Sequence, residues 1–210
     1  MTRISGIATA LVLLCLSGTP AAQTPAADPE TVVRDLFWGQ LMANGGETFF
    51  CKQPFTRKGF TVTEGHIYPL SHVRNALKCG TPTQCEKLDQ YRRIAADLHN
   101  LVPVQSRIEM WRRNAKYDEL GDSASEKDCG MRESTQFIEP PQQIKGDIAR
   151  TIAYMVQSYG LPWLGLKSTY VEWNRIDPPD EKELARDLAI AGLQGQGNAF
   201  VTDPGSLANL

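Results

Sequence analysis

The chain has no hydrophobic run of membrane-spanning length, no Cys-x-x-Cys pair, no excess of positive charge and only three histidines among its 210 residues. Each shortage closes off a class of protein. The main apolar stretch, Ile7 to Leu16, is about half the roughly 20 residues that a spanning helix needs. Cysteine and histidine are too dispersed for a zinc site, which ranks well below disulfides as an explanation of the cysteines. With 22 Lys and Arg against 24 Asp and Glu, no global field draws a polyanion in. Any grip on phosphate must come from local patches, and these exist at Arg57-Lys58, Arg92-Arg93 and Arg112-Arg113 with Lys116. Internal repeats and long low-complexity tracts are lacking too. A content of 41% apolar and 22% charged residues is that of an ordinary globular domain, neither disordered nor multispan.

What is present begins with an export signal. Arg3 precedes the apolar run, and small residues with proline lead to Ala21-Ala22-Gln23, the layout of a secretory signal peptide cleaved near Ala22. Cys15 is a poor lipoprotein cysteine, because Leu13-Leu14 stand where a small residue is needed. Residues 1–22 are therefore expected to be a signal peptide, 23–29 a flexible leader and 30–210 one domain. The expected product is a periplasmic or secreted monomer with no stable membrane association. Losing Arg3 leaves 21 basic residues, one fewer than 22, against 24 acidic ones, a balance of −3. Losing Cys15 leaves Cys51, Cys79, Cys85 and Cys129, and an even number in an exported chain points to two disulfides. Four cysteines allow three pairings. The short Gly-Thr-Pro-Thr-Gln link favours Cys79 with Cys85, which leaves Cys51 with Cys129.

Periodicity predicts mainly helix. Apolar residues at Val33, Leu36, Phe37 and Leu41 suggest a helix over 30–42, ended by Asn44-Gly45-Gly46. Thr48-Phe49-Phe50-Cys51 is a candidate strand, and Gly59 to Thr63 a β-rich run delivering Glu64-Gly65-His66. Helices are expected over 87–98 and over 108–120, the second stopped by Gly121 and followed by a polar, acidic loop to Asp128. The stripe Ile148, Ile152, Met155, Val156 and Tyr159 makes 144–159 the clearest helix. Two more follow near 168–174 and 181–193, and the tail from Gly195 reads as extended. Helices with a few strands in the middle give an α+β class.

Of the histidines, His66 follows a glycine at a strand end, where freedom and exposure suit a general base. His99 sits between Asp97 and Asn100, which look like partners tying a loop together, so it reads as structural; His72 lies in a polar run and reads as solvated. Asn114 offers a neutral hard oxygen suited to Mg²⁺ or Ca²⁺, although a lone asparagine is more often a surface residue. Arg112 is a candidate phosphate clamp through its guanidinium fork, against the plainer reading of a solvated or ion-paired arginine.

The segments His66-Ile67-Tyr68-Pro69, Asp97-Leu98-His99-Asn100-Leu101-Val102-Pro103 and Arg112-Arg113-Asn114 together resemble the endonuclease I family of secreted DNases. That family falls within the wider His-Me finger (ββα-metal) nucleases. Gly146-Asp147-Ile148-Ala149-Arg150 with Tyr154-Met155 is similar to the family's Gly-x-Ile-Ala-Arg helix, and Trp173-Asn174, Gln194-Gly195, Asn198, Phe200 and Val201 to its C-terminal signature. The resemblance implies a disulfide-stapled α+β fold with a small central sheet and a ββα-metal core. It implies an endonuclease hydrolysing phosphodiester bonds of DNA without sequence specificity, with RNA as a further substrate to consider and 5′-phosphate products. His66 would be general base, Asn114 a ligand of one divalent ion (Mg²⁺ first, Ca²⁺ or Mn²⁺ as alternatives), and Arg112 part of the supporting network.

Two departures bear on this. The family's glutamate before the base histidine is Gly65 here, and Glu64 lies one residue early, on the opposite face of a strand. The family's phosphate-binding arginine before the cysteine matching Cys85 has no counterpart in Thr81-Pro82-Thr83. Glu64-Gly65-His66 suits a variant in which the asparagine holds the ion almost alone, with Glu64 as an auxiliary ligand and Arg74, Arg93 and Arg113 as substrate contacts. The rival reading is a weakened family member that binds nucleic acid or a protein without cutting. Joint retention of His66, Arg112 and Asn114 weighs against it.

Overall fold

The computed structural model describes residues 28–210. The expected signal peptide and most of the leader lie outside them. The first element starts slightly earlier than the sequence suggests: Asp28 accepts the Thr31 N–H as an N-cap for α1 (Pro29–Thr31). It continues as a π-helix over Val32–Leu41, where the Met42 N–H reaches back five residues to the Phe37 carbonyl. The wider turn stacks Val32 and Phe37, its two buried residues, on one face. They pack with Leu98, Leu101 and Ile190 in a cluster of their own.

The expected strand over Thr48–Cys51 is a turn instead. Extended pairing is confined to β1 (Gly46–Glu47) against β2 (Pro54–Phe55), and between them Lys52 donates back to the Thr48 carbonyl at 2.8 Å. Phe50 is buried there and Cys51 is bonded to Cys129. The β-rich run is a strand as expected: β3 (Val62–His66) pairs antiparallel with β4 (Leu101–Gln105), His66 opposite Leu101 and Gly65 opposite Val102. Between these strands lie α2 (Leu70–Leu77), α3 (Pro82–Cys85) and α4 (Asp89–Ala95). Cys79–Cys85 closes the connection between α2 and α3, so both disulfides have the pairing read from the sequence.

α5 (Ser106–Arg112) follows β4 directly and is much shorter than the helix expected over 108–120. It stops because Arg113 takes φ +42°, which no helical residue has. The chain then enters a four-stranded sheet in the order β5 (Lys116–Tyr117), β8 (Phe137–Glu139), β7 (Arg132–Ser134), β6 (Ser125–Glu126), with β5 and β8 parallel. α6 (Lys145–Tyr159) matches the clearest sequence expectation and carries the core, with Ile148, Ile152 and Met155 fully buried. α7 (Lys167–Ile176) packs on it, and α8 (Glu181–Gln194) follows. The tail is not extended. Asn198 caps α9 (Ala199–Thr202), and a 3₁₀ turn spans Pro204–Asn209. The class is α+β with small separate sheets, and no helix among the described residues is long and apolar enough to cross a membrane.

Candidate active site

Strand alternation places the Glu64 and His66 side chains on one face of β3 and Gly65 on the other. On the first face a cavity of about 440 Å³ is lined by Trp38, Lys58, Glu64, His66 and Leu70. His66 is partly buried, and its Nε2 lies 3.1 Å from the Ala95 carbonyl. A carbonyl only accepts, so Nε2 carries the hydrogen and Nδ1 presents the lone pair. Burial holds the imidazole below its ordinary pKa, outweighing the Ala95 carbonyl and the Glu109 charge, which act to raise it. The ring is therefore neutral near pH 7, the state a general base requires.

Arg112 does not reach toward solvent as a phosphate clamp would. It is 1% exposed, and its donors are spent inside the protein. Nη2 donates to the His66 carbonyl at 2.8 Å, Nη1 to the Tyr117 hydroxyl at 3.1 Å, and Nε with Nη2 forks onto the Glu109 carboxylate. The Tyr117 hydroxyl in turn donates to the Ile67 carbonyl at 3.1 Å. Arg112 thus locks α5 to the strand end carrying His66.

Asn114 is exposed in the turn after Arg113 and not on a helix. Its backbone carbonyl accepts from His72 Nε2 at 2.8 Å, so the histidine expected to be merely solvated pins this turn to α2. Glu64 occupies the His66 face, as alternation requires, and its carboxylate is engaged by Lys58 at 2.8 Å and by the Trp38 indole N–H at 2.9 Å. Arg74 is half-buried on α2, Arg93 lines a different cavity with Asp89, Gln90 and Tyr159, and Arg113 is exposed with Nε on the Met110 carbonyl. None of these three borders the His66 cavity.

The loop after α4 behaves as its sequence suggested. Asp97 accepts from the His99 N–H and from the Tyr154 and Tyr159 hydroxyls, while Asn100 pairs with both backbone groups of Tyr68. His99 is buried, with Nε2 on the Gln196 carbonyl at 3.0 Å. In the scaffold, Arg150 is fully buried and forks onto Glu183 while donating to Asn174 and the Asp177 carbonyl. Gly146 is needed beneath it, since a Cβ there would lie 1.8 Å from the Asp177 carbonyl oxygen.

The Endonuclease I family model matches residues 38–205 of this chain. The chain belongs to the endonuclease I family. Relatives include Endonuclease-1 of Buchnera aphidicola subsp. Acyrthosiphon pisum (strain APS), 30% identical over 143 residues, covering 65% of this chain and 57% of that protein. An extracellular deoxyribonuclease of Aeromonas hydrophila is 30% identical over 144 residues, 65% of this chain and 63% of the relative. An extracellular ribonuclease of Bacillus amyloliquefaciens is 28% identical over 127 residues, 51% and 44% of the two chains. The aligned region thus spans less than two thirds of each of these relatives.

For the divalent ion that the family implies, no three His, Cys, Asp or Glu side chains among the described residues form a cage. A hard, mostly hydrated cation does not need one, because Mg²⁺ is commonly held by one or two oxygen ligands and its own water. The exposed Asn114 amide and a single carboxylate are donors of the class such an ion takes. Glu109, the carboxylate that Arg112 grips, is the residue here that sequence reading passed over, although its i, i+3 spacing to Arg112 is a recognisable helix pair.

Proposed function

We propose that this chain is an exported endonuclease that hydrolyses phosphodiester bonds of DNA without sequence preference, with His66 as general base and one divalent ion, Mg²⁺ first, held by Asn114. The observation that carries this reading is the fixed orientation of His66. Ala95 takes the Nε2 hydrogen, Arg112 holds the residue's own carbonyl, and the ring borders an open cavity with Nδ1 unprotonated. The strand-strand-helix order of the β3–β4 pair followed by α5 supports the reading of a ββα-metal site. In the proposed reaction Nδ1 accepts a proton from water. The resulting hydroxide bonds to phosphorus, and the bond from phosphorus to the 3′ oxygen breaks, leaving a 5′-phosphate. A bound divalent ion would supply charge stabilisation for the phosphate and the departing oxygen.

Basic groups for the substrate lie around the start of the same strand. Arg57, Lys58 and Arg107 line a cavity of about 620 Å³ at the start of β3, and Lys58 also borders the His66 cavity. That local patch supports nucleic-acid binding despite the acidic balance of the chain. The two disulfides support an oxidising compartment, periplasmic or extracellular.

The test is digestion of supercoiled plasmid and of a structured RNA by the oxidised mature protein, with Mg²⁺ and with EDTA, beside His66→Ala. Metal-dependent plasmid cutting that falls at least 100-fold in the variant is the expected result. Folded protein that cuts no DNA with Mg²⁺, Mn²⁺ or Ca²⁺ would overturn the reading, and cleavage of RNA alone would move the substrate assignment.

A further inference from the structure

Gly65 is buried on the face of β3 that looks toward α5. A Cβ built on it would lie 2.7 Å from Oε2 of Glu109, with the Val104 methyls at 3.0 and 3.1 Å. The space that a side chain at 65 would take is therefore filled by a carboxylate that arrives from the helix and not from the strand. A side chain at 65 would push the Glu109 carboxylate aside and press on the Val104 methyls, so glycine at 65 leaves the room that glutamate at 109 takes.

We infer that Glu109 is the carboxylate ligand of the divalent ion, acting with the Asn114 amide; this rests on the nuclease reading above. The charge is held in place for such work. Arg112 forks onto both Glu109 oxygens and, through the same Nη2, holds the His66 carbonyl, so carboxylate and base share one rigid frame. Arg112 offsets much of the cost of burying the carboxylate, but it does not exhaust it. Two carboxylate oxygens offer about four lone-pair directions, and the Glu109 side chain keeps 28% of its surface open to solvent. One turn of helix later, Arg113 at φ +42° swings the chain out of α5 and delivers Asn114, whose carbonyl His72 anchors. A non-glycine residue in that conformation is strained, and such strain persists where the surrounding contacts demand it. Glu64 is the competing carboxylate. It lies on the His66 face of the strand, opposite Gly65 and Glu109, and already accepts from Lys58 and Trp38.

The experiment is Mn²⁺ titration of the folded, oxidised chain without nucleic acid, read by electron paramagnetic resonance of the free ion. The panel is the parent, Glu109→Gln, Glu64→Gln, and the relocation Gly65→Glu/Glu109→Gly, which returns a carboxylate to the strand and removes the one on the helix, leaving the Val104 methyls to give by a few tenths of an ångström. Circular dichroism reports the fold of each. The expected result is at least a tenfold loss of affinity in Glu109→Gln and recovery to within about threefold of the parent in the relocated protein. The relocated chain should also regain plasmid cutting that Glu109→Gln loses. The inference is overturned if the parent binds no Mn²⁺, if Glu109→Gln binds as the parent does, or if the loss appears in Glu64→Gln instead. Should the relocated chain fail to fold, Glu109→Gln decides alone, because it keeps the size and leaves the space beside Gly65 unchanged. Glu109-dependent Mn²⁺ binding by a parent that cuts nothing would overturn the nuclease reading and leave this one standing.

Discussion

At the scale of single residues, Arg112 ties together more of the site than any other side chain. Four partners meet at its guanidinium: Glu109, Tyr117, the His66 carbonyl and the Phe50 ring, 5.4 Å from its central carbon. Removing it would strand a partly buried carboxylate and free the strand end that carries the base. Arg112→Met should therefore cost about 3 kcal/mol in denaturant unfolding, the scale of breaking a buried pair. Arg112→Lys keeps the charge and loses the planar fork, so part of that cost should remain. If Arg112 positions His66 and does not touch phosphate, Arg112→Lys should lower kcat while leaving KM for DNA within about twofold. A rise in KM alone would instead mark it as a phosphate contact. The sequence offered both readings for this residue, because an arginine's identity says nothing of its burial. The place of His66 at a strand end was legible, since a glycine and a β-rich run lead into it. Glu109 was not, because its nearness to Gly65 arises only when α5 folds back across β3.

At the scale of elements, the junction of the four-stranded sheet with α6 is held by charge. Glu139 at the end of β8 accepts from Lys145 at 2.8 Å and from Arg132 at 2.8 Å, and Lys145, which opens α6, also bonds Glu119. Burial alone would raise the Glu139 pKa, but the Lys145 hydrogen bond and its companions bring it below the ordinary glutamate value. With the folded pKa depressed, its stabilising share is complete above the unfolded value near 4.5 and is lost as pH falls through the folded value. Urea unfolding from pH 6 down to pH 3 should show stability declining in the parent, with a smaller slope in Glu139→Gln. An equal slope would remove Glu139 from the acid response. Element legibility follows length. α6 was readable because its apolar stripe runs for four turns, and α7 and α8 nearly so. Strands of two or three residues, such as β5 to β8, are too short to show alternation, and the segment 116–120 was absorbed into a helix that Arg113 in fact ends. The π-helix was read as helical, since its apolar spacing differs from an α-helix by less than one residue per turn.

At the scale of the whole molecule, two covalent links tie the site to the scaffold with unequal effect. Cys51–Cys129 spans 78 positions and joins the turn between β1 and β2 to the edge of the four-stranded sheet; Cys79–Cys85 spans 6 and closes only the connection after α2. Loop-closure entropy makes the long link worth roughly 4.5 kcal/mol and the short one roughly 2 kcal/mol, as upper values. Cys51 and Cys129 also pack against the main core beside Phe50, whose ring lies over Arg112, so loosening this link reaches the frame that holds His66. Cys51→Ala/Cys129→Ala should therefore lower stability by about twice as much as Cys79→Ala/Cys85→Ala in urea unfolding of the mature chain. Thiol reductant should inactivate the parent along the same time course as its loss of near-ultraviolet circular dichroism, since neither disulfide touches the proposed reacting groups. Inactivation that runs ahead of unfolding would instead show that a disulfide shapes the site directly. With Cys79–Cys85 anchoring the end of α2, whose His72 holds Asn114, the short link is the one such a result would implicate.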